Sequence, residues 1–501
     1  MNTFMNKMNE LDNYTLTQNG ALAYKSTNSA VYDMFALCGA YRQRSDADCI
    51  LAFKKALEED PELAMKCLFY LRDCRGGQGE RRFFRVCFGW LINYNPKAAA
   101  RFLKYIPEYG RWDDLIYFVD TNVKNEVITI LINQIDIDLT SQKNGISLLA
   151  KWMPSENASS SETKRRARVV REAMGLTSRQ YRKILSLLRE KINVLERLMS
   201  ANRWDEIEFD KIPSKAGMVY RNAFARRDII AAKYKAFAED KDTKVNADTL
   251  YPYEVVNKVT STPRGGGFFY QYNEFFINDV ERQMLNKYWE NLPDYFEGKE
   301  CSLMCVVDTS ASMTWSGSQK VKPIDVAISL GLYTAERLNG PFKDNYISFS
   351  RNPKLIHTDG IDFVDKVERI YQQNLCENTD LTKTFDMLLS IALQPDVRKE
   401  DIPQTIVVIS DMQIDSNFSY NYDLSTEMEK VRNKWAKYGL EMPRLVYWNV
   451  NASKDTILDK GPKVSCVSGC SPILFKQVIT GKNGYDLMLE TLMSERYACI
   501  K

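Results

Sequence analysis

The feature that most narrows the fold is a change of hydrophobic rhythm at Pro293. From about residue 21 up to that point, apolar residues recur at helical spacing almost without interruption. Beyond it, short strand-like runs alternate with amphipathic stretches: "SLMCVVD", "IDVAISLGLYTAERLN", "NYISFS", "IDFVDKVERIYQ", "LTKTFDMLLSIALQ", "QTIVVISD", "TEMEKVRNKWAKYG" and "PRLVYWNV". Strands joined by connections of helical length pair in parallel, so the second half is predicted to be an α/β domain with a doubly wound sheet. In such sheets ligands gather beyond the carboxyl ends of the strands, where the strand order reverses. A chain of 501 residues exceeds one hydrophobic core. The expected plan is a flexible tail over residues 1–20, a helical domain over 21–292 and the α/β domain over 298–501.

Within the first half, "DADCILAFKKALEEDPELAMKCLFYLRDCRGG" divides into two amphipathic helices at Asp60-Pro61 and stops at Gly76-Gly77. Tyr181, Ile184, Leu188, Ile192, Leu195 and Met199 recur at steps of three and four, which predicts one apolar helical face. Helix pairs of roughly 35–45 residues with loop punctuation predict an α-solenoid of the HEAT type.

Several classes of function are excluded at this level. No run reaches the roughly 18 apolar residues of a membrane helix, and the first twenty residues lack the layout of a secretory signal. A cytoplasmic protein without a membrane partner is expected. The 11 cysteines include no CxxC zinc knuckle and read as buried thiols. His357 is the one histidine, which rules out an HExxH zinc site and makes any Ser–His–Asp triad depend on it.

The stretch "LMCVVDTSASM", residues 303–313, delivers an acid and a cluster of hydroxyls at a strand end. Asp308, Ser310 and Ser312 lie at alternate positions in a loop that can turn their oxygens to a common point. A second loop, "CENTDLTKTF", brings Thr379 and Asp380 to the start of a helix, and Asp411 ends a third strand. Donors that are all oxygen suit a hard divalent cation such as Mg²⁺. A cluster of helix-capping hydroxyls would account for the same residues without a metal.

This three-loop layout resembles a von Willebrand factor A domain and its metal-ion-dependent adhesion site. The resemblance implies that Ser310, Ser312 and Thr379 hold the ion through hydroxyls, with Asp308 and Asp411 acting directly or through water. The second loop carries Glu377-Asn378-Thr379 where that family has Gly-Gly-Thr. A metal held this way keeps an open position that an acidic group of a protein partner could fill. No general base accompanies it, so no enzymatic activity is expected.

Charge is unevenly spread. Between Lys164 and Lys191 stand ten basic residues and two acidic ones, against a net charge of +3 for the whole chain. Lys164, Arg165, Arg166, Arg168, Arg171, Arg179, Arg182 and Lys183 are the candidate phosphate contacts of this segment. A second candidate is "LRDCRGGQGERRFFR", where Arg75, Arg81 and Arg82 surround a glycine turn whose N–H groups could approach an anion. Solvated helix faces and a tight turn are the plainer readings of the two segments.

Together, "LFYLRDCRGGQGERRFF", "IPEYGRWDDL", "LLAKWMPSE" and "KIPSKAGMVYRNAFARRD" resemble a family of helical-plus-von-Willebrand-A proteins of plants, bacteria and large phages, itself similar to the TROVE-module proteins typified by the Ro ribonucleoprotein. That resemblance implies a monomeric ring of HEAT-like helices that binds non-coding or defective RNA. The expected function is non-enzymatic RNA binding with Mg²⁺ in the second domain. The alternative is a metal-dependent scaffold that captures an acidic protein partner. A Mg²⁺-dependent RNA-processing enzyme fits less well, because only Asp308 and Asp411 form a convincing acidic pair.

Overall fold

The structure is a computed structural model that describes residues 5, 8, 10–142, 145–192, 194–261, 277–314, 321–349, 352–373, 380–415 and 425–501. Thr379, and most of the stretch "TSTPRGGGFFY", lie outside the described residues. The chain divides into two compact units, one formed by residues 1–67 with 247–499 and 501, the other by residues 68–246 with 500.

The first unit is built on a six-stranded sheet. Its strands are β3 (Leu303–Asp308), β4 (Asn345–Phe349), β5 (Leu355–His357), β6 (Thr405–Ser410), β7 (Arg444–Asn449) and β8 (Val464–Ser468), ordered β5-β4-β3-β6-β7-β8. All neighbours are parallel except β4 and β5. The chain builds outward from β3 to β4 and β5, then returns to start β6 on the other side of β3. The strand order therefore reverses between β3 and β6, as the alternating pattern predicts for an α/β domain.

Every residue of β3, β7 and β8 is buried, which explains their unbroken apolar character. Helix Pro323–Arg337 is buried from Pro323 to Ala335 and lies against β3, β4 and β6. Gly331 permits that approach: a Cβ there would sit 2.5 Å from Val307 Cγ2. Among the described residues, no helix is long and apolar enough to cross a membrane.

The compact units group two segments differently from the expected plan. The segment 1–20 is not a free tail over its described part. β1 (Tyr14–Leu16) and β2 (Leu22–Tyr24) form an antiparallel hairpin, and Tyr24 exchanges backbone bonds with Ile457. Helix Ala30–Leu37 follows and packs on β8, where Tyr32 Oη accepts from Cys466 N at 3.1 Å.

Residues 247–292, predicted as the end of the helical domain, also belong with the sheet. Helix Pro252–Thr260 packs on helix Pro323–Arg337 through buried Asp325, which accepts from Asn257 Nδ2 at 2.9 Å, from Thr260 Oγ1 at 3.2 Å and from the Tyr371 hydroxyl. Helix Asp279–Glu290 is fixed by Arg282 on Asp362 at 2.6 and 2.7 Å and by Trp289 stacked on Phe363. Helical periodicity announces these elements; their partners, far along the chain, assign them.

The second unit is helical, and elements close in sequence pack as neighbours: Arg81–Tyr94 with Pro96–Phe102, Lys124–Thr140 with Ser161–Ala173, Ser214–Arg226 with Asp228–Glu239. The predicted continuous face from Tyr181 to Met199 is divided into helices Ser178–Lys191 and Leu195–Ser200, with Val194 extended between them. Lys191 Nζ donates to the carbonyls of Asp138, Leu139 and Ser141, which ties down the end of the first helix.

One aromatic core gathers Phe69, Phe84, Phe88, Phe102, Tyr109 and Phe118. Beside it Arg72 and Asp114 are both buried and bonded at 2.9 Å, with Arg85 Nε on the other oxygen of Asp114 at 2.8 Å. Burial alone would push the Asp114 carboxyl up, but the guanidiniums of Arg72, Arg85 and Arg81 hold it below its ordinary value. Its stabilising effect is therefore present above the usual carboxylate range and is lost as pH falls through that lowered value. Asp114→Ala should leave Arg72 buried without its counter-charge and cost about 3–5 kcal/mol. Replacing both by Met and Leu should cost less, as read by thermal denaturation at pH 7.

Candidate metal centre and basic helical face

The point of strand reversal is also where the acids and hydroxyls meet. Val307 and Ile409 are directly paired, so Asp308 and Ser410 end adjacent strands side by side. Ser410 Oγ donates to Asp308 Oδ2 at 2.6 Å, and Ser310 N donates to Oδ1 at 2.9 Å. Ser310 Oγ lies 3.0 Å from Ser312 Oγ, and the Ser312 hydroxyl bonds to Asp411. Asp411 Oδ1 also accepts from Gln413 N at 3.0 Å. Asp308, Ser310 and Asp411 are buried, whereas Ser312 is half-buried at the outer side.

Four of the five residues predicted for the metal are thus brought together; Thr379, the fifth, lies outside the described residues. Asp380 is the N-cap of helix Leu381–Ala392, accepting from Lys383 N at 3.2 Å. Sequence reading missed Ser410, although a serine directly before Asp411 was a usable signal once β3 and β6 were paired. His357 sits on β5, which β4 separates from β3.

Among the described residues the site is acidic. Burial, and then the Asp411 charge, push the Asp308 carboxyl well above its usual range. Burial likewise raises Asp411. Among the described residues, neither acid forms an ion pair with a Lys or Arg. Nor do the described residues contain a cluster of three or more His, Cys, Asp and Glu suited to a metal. A cation here would rely on two carboxylates and neighbouring hydroxyls, a hard oxygen set that fits Mg²⁺ better than zinc.

The basic segment resolves into cations paired or bonded in place and exposed cations without an acid among the described residues, of which Arg182 donates to the Ser178 carbonyl at 3.1 Å. Arg165 pairs with Asp120 at 2.6 Å and Glu162 at 2.9 Å. Arg166 pairs with Glu162 and lies over the Tyr117 ring, and Arg171 pairs with Glu156 at 2.9 Å. Arg189 is spent on the carbonyls of Ala150 and Met153, both at 2.8 Å. Lys164, Arg168, Arg179, Arg182 and Lys183 remain exposed, and among the described residues none of them pairs with an acid. They lie on helices Ser161–Ala173 and Ser178–Lys191, whose inner faces bury Ala167, Val170, Tyr181, Leu185 and Leu188.

The glycine turn is occupied differently. Gly76 N donates to Asp73 Oδ1, Gly77 N and Gly79 N to Asp73 O, and Gln78 N to Tyr70 O. The N–H groups considered for an anion cradle are therefore already satisfied within the turn. Arg81 pairs with Asp113 at 3.2 Å, Arg75 donates to the Gly110 carbonyl at 3.3 Å, and Arg82 is half-buried.

Comparison with known proteins adds the family. The model of a domain of unknown function, DUF2828, matches residues 17–136 and 157–296, more than half of the chain. The chain belongs to the DUF2828 family. In this DUF2828 chain a second domain of unknown function, DUF7788, matches residues 302–496. An uncharacterized protein of Acanthamoeba polyphaga mimivirus is 29% identical over 527 aligned residues, covering 96% of this chain and 87% of its own. Among solved structures, the Deinococcus radiodurans RO (RSR) protein aligns at 13% identity and a TM-score of 0.41, covering 93% of this chain and 99% of that one.

The raised Asp308 carboxyl sets a direction for pH dependence. A folded-state value above the unfolded one favours the folded protein when the acid is protonated, and that contribution is lost as pH rises through the folded value. Without divalent cation, Asp308→Asn should therefore raise the melting temperature at pH 8 by a few degrees, at about 2–4 °C per kcal/mol, and change it little at pH 4. Differential scanning calorimetry in a chelator checks both arms.

Proposed function

We propose that this protein binds RNA without catalysis. Lys164, Arg168, Arg179, Arg182 and Lys183 of the helical unit are its phosphate contacts, and the sheet domain, of von Willebrand factor A type, holds a divalent cation such as Mg²⁺. The observation that carries the RNA reading is the set of five exposed cations, unpaired among the described residues, on two consecutive helices. Arg165, Arg166 and Arg171 also belong to this surface, but their acids already neutralise them in part. Arg75, Arg81 and Arg82 are secondary: Arg81 pairs with Asp113, Arg75 is engaged by the Gly110 carbonyl, and Arg82 is half-buried.

Contacts of this kind recognise the backbone rather than base edges, so affinity depends on salt and only weakly on sequence. Five contacts to single-stranded RNA give a slope of log K against log salt of about −3.5. Reversing all five to Glu should weaken binding of a single-stranded RNA probe by at least about a hundredfold at low salt and flatten that slope. Reversing Arg165 and Arg166 alone should cost much less. Fluorescence anisotropy across a salt series is the measurement. Equal affinity for wild type and the fivefold variant would overturn the assignment.

The buried acids favour a companion reading for the sheet domain. Asp308, Ser310, Ser312 and Asp411 would hold the cation, with Thr379 added by the family resemblance. When bound, the metal supplies a positive charge with a free position. Ser312, half-buried, marks the side from which an acidic group of a protein partner would approach. Asp308→Asn should then abolish Mg²⁺-dependent capture of such a partner while leaving RNA affinity unchanged.

A further inference from the structure

The loop carrying Asp411 is gripped from two sides. On the sheet side, Met412 N donates to Ser410 Oγ at 3.0 Å while Met412 itself takes φ of +63°, a left-handed conformation that a side chain disfavours. Such a residue stays in place only when its surroundings hold it. On the other side stands the N-terminal hairpin of β1 and β2, from the opposite end of the chain. Thr17 Oγ1 donates to the Ile414 carbonyl at 2.7 Å, and Asn19 Nδ2 donates to the Gln413 carbonyl at 2.7 Å. Gln413 Oε1 accepts from Gln18 N at 2.7 Å, and Gly20 forms an antiparallel bridge with Asp415. Thr17 and Gln413 are both buried, and the Thr17 bond to Ile414 is shielded from competing water.

Gln413 joins the hairpin to the acid. Its side chain and carbonyl are held by Gln18 and Asn19, and its N–H donates to Asp411 Oδ1. We infer that the hairpin Tyr14–Tyr24 is a working part of the cation site. It fixes Gln413, Gln413 orients the Asp411 carboxylate, and hairpin docking and cation binding are thereby coupled. This rests on the cation reading proposed above. Gln413 is a positioning residue, with Thr17 and Asn19 as its supports. Freed of the hairpin, Met412 can relax from its left-handed conformation and Asp411 can turn away from Ser312. Coupling is reciprocal, so a bound cation must in turn hold the hairpin in place.

The test uses the full chain and Mg²⁺ or Mn²⁺ as probes, with dissociation constants from isothermal titration calorimetry. Thr17→Val keeps the shape and removes the hydroxyl; Asn19→Ala removes the amide; Thr17→Ser retains the hydroxyl. Loss of one hydrogen bond that supports the site should weaken the cation by about fivefold to tenfold in Thr17→Val, where the bond is buried, and by about twofold to fivefold in Asn19→Ala, where it is part-buried. The Ser variant should stay within about twofold of wild type. In parallel, tryptic cleavage after exposed Lys25, which follows β2, should slow when Mg²⁺ is added to wild type and not when it is added to Asn19→Ala.

Equal dissociation constants in all four proteins would overturn the coupling, even if Thr17→Val and Asn19→Ala melt lower in chelator, because a purely structural hairpin predicts that result. Absence of binding in wild type with either cation would overturn the cation reading itself, and the coupling with it. The two failures fall on different proteins and are therefore separable.

Discussion

Asp308 and Asp411 end neighbouring strand and loop positions where neither reaches water, and much of the sheet domain is arranged around their proximity. Two carboxylates in such a place repel each other, and hydrogen bonds from Ser410, Ser310 and Ser312 ease the charge without cancelling it. Replacing either acid by an apolar residue would relieve the burial penalty at once. Their retention beside several hydroxyls is the feature on which the proposed cation site rests. Close packing makes the placement rigid, since Gly331 lets a buried helix press directly on Val307, one residue before Asp308.

That arrangement was partly legible in the sequence. The strand ending in Asp308 was marked by its continuous apolar run, and Asp411 by the run "TIVVIS" before it. Both signals are local. Ser410 became meaningful only through pairing of β6 with β3, which separates strands about a hundred positions apart along the chain and which no periodicity encodes. The same limit explains the tail: Thr17 and Asn19 look like ordinary polar residues until Gln413 and Ile414, at the far end of the chain, complete their hydrogen bonds. It also explains why residues 247–292 pack with the sheet although their spacing reads as part of the helical region. Helical spacing identifies Pro252–Thr260 as a helix, but the side chain that claims it is Asp325.

Charge density had a different weakness. Counting cations between 164 and 191 treats all ten alike, whereas their acids come from elsewhere: Asp120 for Arg165 and Glu156 for Arg171. The glycine turn illustrates the same point for backbone donors. Its N–H groups are aimed inward at Asp73 and Tyr70, so a pattern that permits an anion site was used instead to stabilise a turn.

What separates the exposed cations that have no acid among the described residues from the paired ones is their cost to the helices that carry them. Lys164 and Arg168 stand four residues apart, as do Arg179 and Lys183, so each pair places like charges next to each other on an exposed helical face. Such pairs destabilise a helix by a few tenths of a kcal/mol each. The cluster of buried Arg72 with half-buried Arg81 and Arg85 avoids that cost by pairing with Asp113 and Asp114. No acid among the described residues performs this service for Lys164, Arg168, Arg179 or Lys183. The anchoring of Ala167, Val170, Tyr181, Leu185 and Leu188 in the interior is strong enough to tolerate the repulsion. An anion with regularly spaced charges would remove it, and a phosphate backbone has that chemistry.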